Sequence, residues 1–515
     1  RPADTRDLDV YLTREAEGAQ IEKPRHIFLI ISESYANWPL LEKYASLHIA
    51  DPTKELLGTA DTVYCDTFLP NGSSTVSAVT GVVTGFADAN LYLTTMPESF
   101  AAPYPTAIAP TFARLGYHTD FWYAGPATWE RIEPFCRAQG FEQFYSRGDF
   151  SSDEGSVWGV DDEVLYGEVL SRIDPEQPGL HVLLNVSNHS PYTVDLAAKG
   201  FPAEEVRAAL PQEAQGDDAL LKELGHYWYA TQELAAFIRA AKEKFPESLF
   251  VIVGDHADRY NIEKTPSLYE RYAIPFILTG HGVKKGLLDS EAAGSQIDIA
   301  PTLIELIAPR GFRYEAVGRS LTRGNRQGVN YGFWITHSAI GRTDTVPLVA
   351  EPIKDRPAAL DEEAMQDYIN AVRALSWWRP KYGPMLDEAK LDTLMRLPEH
   401  FVGDLLHLSP SIFTRLVLEV IFAEVLAVEV LPFGRSPRRK VHTISYIAHM
   451  KLFGEEALPH GCEHLLRHLA VQEAHTIGFL TGVQSEDAHG ELLIAIGTLT
   501  AEAHEVVPRD AEAVG

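Results

Sequence analysis

From Pro24 to about Arg342, short apolar runs alternate with stretches of helical periodicity. HIFLIISES, the second half of PTFARLGYHTDFWYAG, GLHVLLNVSNHSPY, LFVIVGDH and YAIPFILTG are strand-length apolar runs. Such runs read as strands covered on both faces. Between them, SAVTGVVTGF reads as a small-residue helix, PTFARLG as the start of a second and YWYATQELAAFIRAAKEKF as an amphipathic one. SQIDIAPTLIELI begins another helix, with Asp298 as its N-cap. This alternation predicts an α/β fold: a mostly parallel sheet with helices on both faces. Residues 150–162 and 193–222 are polar insertions, read as loops over any site at the sheet edge.

Pattern also divides the chain. Residues 1–24 are polar and charged, a lead-in to an α/β domain over 25–345. Residues 346–390 form a helical connector, in which EEAMQDYINAVRALSWW is broken by RPKYG. Residues 391–515 are helix-patterned almost throughout and read as a helical C-terminal domain of unassigned role. The most apolar stretch there, RLVLEVIFAEVLAVEVLPF, is interrupted by Glu419, Glu424 and Glu429, so it reads as a half-buried helix, not a membrane span. The chain starts at Arg1 without a Met and reads as processed or truncated, with any membrane anchor upstream.

Composition narrows the partners. A net charge of -28 argues against nucleic acid and for repulsion from bare anionic membranes. Cys65, Cys136 and Cys462 are too few and too scattered for a disulfide framework or a zinc knuckle, and free buried thiols are expected.

Chemistry collects at the strand ends. Glu33 follows one buried strand, His189 another, and Asp255 and His256 a third. In open α/β sheets ligands bind outside the carboxyl ends of strands. LPNGSSTVSAVTGVVTGF adds Ser73, Ser74 and Thr75 in a turn that opens a helix. A helix N-terminus offers free N–H groups and positive potential to an anion. Two carboxylates, an imidazole and a hydroxyl suit Mn²⁺, Mg²⁺ or Zn²⁺.

The order of these motifs resembles the sulfatase-like branch of the alkaline phosphatase superfamily, and within it the lipoteichoic acid synthase and phosphoglycerol transferase group. IFLIISES, STVSAVTGVVTG, LGYHTDFWYAG with GFEQFY, VSNHSPY, VIVGDH and SQIDIAPTL carry the resemblance over roughly residues 25–325. It implies that Glu33, Thr75, Asp255 and His256 hold one divalent ion, manganese ahead of magnesium or zinc. Thr75, at the family's spacing from Gly85, would also be the nucleophile. His189 corresponds to a histidine that contacts the substrate phosphate or leaving group. Trp129 and Arg131 in ATWER are similar to a Trp-x-Arg pair that contacts the phosphoglycerol head group. The family's acidic residue before that pair has no counterpart in YAGPATW.

The implied function is transfer of a phosphoglycerol-type group from a lipid head group to a glycan or polymer, through a phospho-threonine. The implied place is the periplasmic or extracellular face of the cytoplasmic membrane. Phosphoethanolamine transfer and phosphodiester or phosphomonoester hydrolysis are the enzymatic alternatives. A degenerate member that binds anionic glycans is the non-enzymatic one. Sulfate ester cleavage is not expected, since no C/S-x-P-x-R motif follows Asn71.

Other suggestive residues have plainer readings. Ser73 and Ser74 shape the turn, His118 is structural, and Trp377 and Trp378 pack. His460, Cys462, His464 and His468 in HGCEHLLRH have ligand spacing but sit in an amphipathic helix, and they are left out of the metal set.

Overall fold

The computed structural model describes residues 8–353, 356 and 360–384. In chain order its strands are β1 (Thr13–Glu15), β2 (His26–Ser32), β3 (Thr62–Leu69), β4 (His118–Tyr123), β5 (Gln143–Tyr145), β6 (Gly179–Leu184), β7 (Ser248–Gly254), β8 (Ile274–Gly280), β9 (Gly294–Ser295), β10 (Arg313–Glu315), β11 (Gln327–Val329), β12 (Phe333–Thr336), β13 (Ala339–Arg342) and β14 (Glu351–Pro352). Eight of them form the main sheet, ordered β5-β4-β6-β2-β7-β8-β3-β9.

The sheet is mostly parallel, as its strand patterns predict. The five strands from β5 to β7 run parallel, as do β3 and β9. Strand β8 runs against both β7 and β3, which makes the sheet mixed. Every residue of β2, β6 and β7 is buried. Alternate side chains of a strand point to opposite faces, so both faces are covered. The core that covers them joins Ile27–Ile31, Leu180, Val182–Leu184 and Leu249–Val253 to Leu224, Leu234, Phe237 and Ile238 of the long helix Asp218–Lys244.

Four features lie beyond the pattern-based reading. Strands β11–β14 form a separate antiparallel sheet between the helices expected over SQIDIAPTLIELI and EEAMQDYINAVRALSWW. The expected lead-in contributes β1, paired with β10, and the fully buried Leu12. The helix expected over EEAMQDYINAVRALSWW is not broken by RPKYG but runs through Pro380 to Tyr382 and ends at Gly383, and its Met365, Tyr368, Ile369 and Val372 pack with Leu12, Phe86 and Trp334. The insertion 193–222 is not all loop: it holds the helix Ala203–Ala209 and the first turn of Asp218–Lys244.

One cap needs correction. Asp298 stands at the start of the helix Ile299–Ile307, but its carboxylate caps no amide of that helix. It accepts instead from Ser295 N at 2.8 Å and Arg319 N at 2.7 Å, because a 3-10 turn, Gln296–Asp298, precedes the helix and Ser295 is its cap.

Trp377 and Trp378 are buried, and Cys65 and Cys136 are buried free thiols. No helix among the described residues is long and apolar enough to cross a membrane. The helical reading of 391–515, RLVLEVIFAEVLAVEVLPF and HGCEHLLRH lie outside the described residues.

Candidate metal and phosphate site

The site is a consequence of register. Strands β2 and β7 are parallel neighbours, and their last paired residues are Ser32 and Gly254. Glu33 and Asp255 follow in step from strands roughly 4.8 Å apart. Strand β6 flanks β2 on the other side, with Ile31 opposite Leu184, and so delivers Asn185 to the same edge. Gly254 has to be glycine: a Cβ there would lie 2.3 Å from the Tyr35 carbonyl oxygen.

Thr75 arrives from farther along the sheet. Strand β3 ends at Leu69, the chain turns through residues 70–74, and the helix Thr75–Thr84 begins. Ser74 caps that helix, its hydroxyl accepting from Ser77 N at 3.4 Å, the turn-shaping role expected of it. Gly85 ends the helix with φ 74°, a left-handed conformation that glycine adopts without strain.

These elements bring four of the expected residues together. The Thr75 hydroxyl donates to Asp255 Oδ2 at 2.7 Å and reaches Glu33 Oε2 at 3.3 Å. His256 Nε2 lies 3.3 Å from Asp255 Oδ2 and 3.6 Å from Glu33 Oε1. Ligand atoms of Glu33, Asp255 and His256 all lie within 4.8 Å of one another, and the three residues are buried.

A shell of uncharged polar groups fixes them. Asn185 Oδ1 accepts from Glu33 N at 2.7 Å, and its amide donates to Asp162 Oδ2 at 2.9 Å. Burial pushes the Asp162 carboxyl up to about 7. The Asn188 amide donates to the carbonyls of Glu33 and Ser34. Gln296 Nε2 donates to Gly254 O at 2.8 Å while its Oε1 accepts from Asn71 N at 2.7 Å, tying the β7 end to the Thr75 turn. The Ser34 hydroxyl donates to Glu33 Oε1 at 2.7 Å. None of these residues belongs to the set read from sequence; only their place beside NHS, SES and SQID hinted at them.

The donor set fits a divalent cation. Burial first, and then Asp255, hold the Glu33 carboxyl well above the ordinary carboxylate range. Two buried carboxylates this close both ionise readily only beside positive charge. Burial lowers the His256 imidazole and favours the neutral ring that ligates metals. His256 Nδ1 is buried without a hydrogen-bond partner and lies 3.7 Å from Asp258 Oδ1, which also lacks one. A carboxylate facing the second nitrogen is the usual support of a ligating histidine.

The remaining candidates make no hydrogen bond to this cluster. His189 lies in the loop after β6, its ring 4.6 Å from that of Trp158 in the 150–162 insertion, and its charge bears on His256. The Trp158 indole donates to Ser190 O at 2.7 Å. Trp129 packs 5.6 Å from the Tyr123 ring, and Tyr123 is close enough for the Glu33 charge to raise its phenol, after burial. Arg131 is exposed, has a left-handed backbone (φ 55°) and lies 4.4 Å over the Phe100 ring. No contact joins Arg131 to the four-residue cluster. His118 pairs with Asp120 and Glu142, in keeping with a structural role.

The sulfatase family model matches residues 25–308, more than half of the chain, and the chain belongs to that family. It is similar to the lipoteichoic acid synthase-like protein YvgJ of Bacillus subtilis (strain 168), 20% identical over 367 residues. That match takes in 66% of this chain and 57% of the relative, so the chain spans little more than half the relative's length. Among solved structures it resembles the lipoteichoic acid synthase LtaP of Listeria monocytogenes, with TM-score 0.58 and 19% identity over 72% of this chain and 95% of that one. An alkaline phosphatase superfamily protein from Vibrio parahaemolyticus gives TM-score 0.55 and 20% identity over 75% and 93%. Both likenesses show the fold.

Proposed function

We propose that this chain is a metal-dependent phosphotransferase that moves a phosphoglycerol-type group from a lipid head group to a glycan or polymer hydroxyl. One observation carries this reading: the Thr75 hydroxyl stands at a helix N-terminus, 2.7 Å from Asp255 Oδ2, within the Glu33, Asp255 and His256 cluster. Kinship with a lipoteichoic acid synthase-like protein supports the choice of reaction.

Glu33, Asp255, His256 and Thr75 would hold one divalent ion, with Mn²⁺ expected ahead of Mg²⁺ or Zn²⁺. When bound, such an ion lowers the pKa of a hydroxyl and neutralises phosphate charge. Thr75 Oγ1 forms a bond to phosphorus and gives its proton to Asp255, the acceptor it already faces. The bond from phosphorus to the lipid oxygen breaks, and the leaving alcohol takes a proton from His189. Free N–H groups of the helix Thr75–Thr84 and its dipole favour the phosphorylated side chain. An acceptor hydroxyl then attacks the phospho-threonine and gives its proton to His189, while the bond from phosphorus to Thr75 Oγ1 breaks and Asp255 returns the proton to Thr75. Trp129 and Arg131 would receive the head group. The place of action is the periplasmic or extracellular face of the cytoplasmic membrane.

The test is turnover of a chromogenic phosphodiester in the presence of Mn²⁺ with a rising concentration of glycerol or a short glycan. A transferase forms phosphoryl-acceptor product at the expense of free phosphate ester. Product confined to the hydrolysed ester would leave a phosphodiesterase, and no metal-dependent turnover would leave a binding protein.

A further inference from the structure

Arg259 is a cation in direct contact with the cluster. Its Nη2 lies 3.1 Å from His256 Nε2, the nitrogen that faces Glu33 and Asp255. No carboxylate among the described residues forms an ion pair with it, although the chain carries an excess of 28 negative charges. Its residue is exposed, so the fork borders the opening of the site and is not locked in the core.

Two further neighbours place it. Burial and then Asp255 raise the Glu33 carboxyl, and the Arg259 charge works against them. Burial also raises the Tyr192 phenol, where Arg259 again opposes. Tyr192 closes the turn begun by His189, donating its N–H to His189 O. The Arg259 charge therefore reaches both the carboxylate cluster and Tyr192 in the loop that carries His189.

A charge count gives the position a purpose. With its proton on Asp255, the attacking Thr75 oxygen, Glu33 and the phosphodiester carry three negative charges, more than one divalent ion offsets. Phosphoryl transfer spreads charge over the non-bridging oxygens, where arginine acts in many unrelated sites. A guanidinium offers paired N–H donors whose geometry matches two phosphate oxygens. The Nη2 contact uses the one lone pair of His256 Nε2, which a bound ion would take, so with the ion in place every donor of the fork is free for them. Arg131, stacked on Phe100, shows no comparable approach to the cluster.

We infer that Arg259 is the phosphate clamp of this site, its guanidinium donating to the non-bridging oxygens of the phosphodiester that Thr75 attacks. The inference rests on the phosphotransferase reading and adds to it a residue and a ligand atom.

The experiment compares wild type with Arg259→Gln and Arg259→Lys, all as the full chain. It measures Mn²⁺ binding by titration calorimetry, inorganic phosphate affinity of the Mn²⁺-loaded protein, and kcat/KM on a chromogenic phosphodiester. Arg259→Gln should keep wild-type Mn²⁺ affinity, lose roughly ten- to a hundredfold in phosphate affinity and lose about 10²–10³-fold in kcat/KM. Arg259→Lys, with charge but no fork, should fall between. Unchanged phosphate affinity in Arg259→Gln overturns the clamp. A fall in Mn²⁺ affinity that accounts for the lost phosphate binding overturns it too, since Arg259 would then only position His256. A wild type that binds Mn²⁺ but neither binds phosphate nor turns over the diester contradicts the proposed function itself, and the clamp with it.

Discussion

Ser34 N donates to Asp255 Oδ1 at 2.7 Å, so the end of β2 holds the carboxylate at the end of β7. His256 N donates to the same oxygen at 2.7 Å, which leaves Asp255 Oδ2 to Thr75 and His256. Ser34 achieves this with φ 49°, a left-handed conformation that costs a non-glycine residue about 1 kcal/mol or more. Ser34→Gly should retain fold stability within about 1 kcal/mol, since glycine adopts this φ freely. Ser34→Val should lose roughly 1–3 kcal/mol, as a β-branched residue is strained there. Urea unfolding of the two variants checks the order; a valine variant as stable as the glycine one would contradict it.

Asp258 offers a second test of the donor set. Its Oδ1 faces His256 Nδ1 at 3.7 Å, and both atoms are buried without partners. If Asp258 orients His256 as a ligand, Asp258→Asn should weaken Mn²⁺ binding by about 10–100-fold with the fold intact. Calorimetric titration with Mn²⁺ reads this directly. Unaltered affinity would remove Asp258 from the site.

Much of this site was legible because its parts sit at the ends of strongly patterned strands. Glu33, Asp255 and His256 follow runs so apolar that only an interior strand accommodates them. The mixed sense of the sheet was not legible, since YAIPFILTG reads the same in either direction along β8. Strands β11–β14 escaped because runs of two to four residues are too short for a period to emerge. The supporting amides of Asn185, Asn188 and Gln296 carry no charge and no motif; their roles come from which carbonyl or N–H the fold puts opposite them. The apolar face Met365, Tyr368, Ile369 and Val372 has helical spacing, yet nothing in that spacing names Leu12 and Trp334 as its partners.

At the opposite edge of the sheet, His26 predicts a pH dependence. Its Nδ1 meets His181 Nε2 at 3.3 Å, its Nε2 meets the Pro175 carbonyl at 3.1 Å, and Phe28 and Phe245 pack on the ring. His181 continues to Asp120 at 3.0 Å. Burial pushes the His26 imidazole down to about 4, with the Pro175 carbonyl opposing, His181 and Arg25 adding to the fall and Asp174 opposing. The unfolded chain protonates this ring near 6.5 and the folded one only near 4. Stability from the neutral ring is therefore complete above pH 6.5 and drains as pH falls toward 4. At 1.36 kcal/mol per pKa unit the loss approaches about 3 kcal/mol. The difference in unfolding free energy between wild type and His26→Phe should shrink by that order across the window. A difference independent of pH would contradict it.

The central claim is that Thr75 is the nucleophile. Thr75→Ala removes the attacking oxygen and leaves Glu33, Asp255 and His256, so Mn²⁺ binding should persist while turnover falls by several orders of magnitude. The most direct measurement is the mass of the peptide containing Thr75 after wild type and a phosphodiester substrate are mixed and quenched without acceptor. A phosphoryl-group mass increase located on Thr75, and absent from Thr75→Ala, is the predicted result. A label on Ser73 or Ser74, or near-normal turnover by Thr75→Ala with no labelled residue, would contradict it.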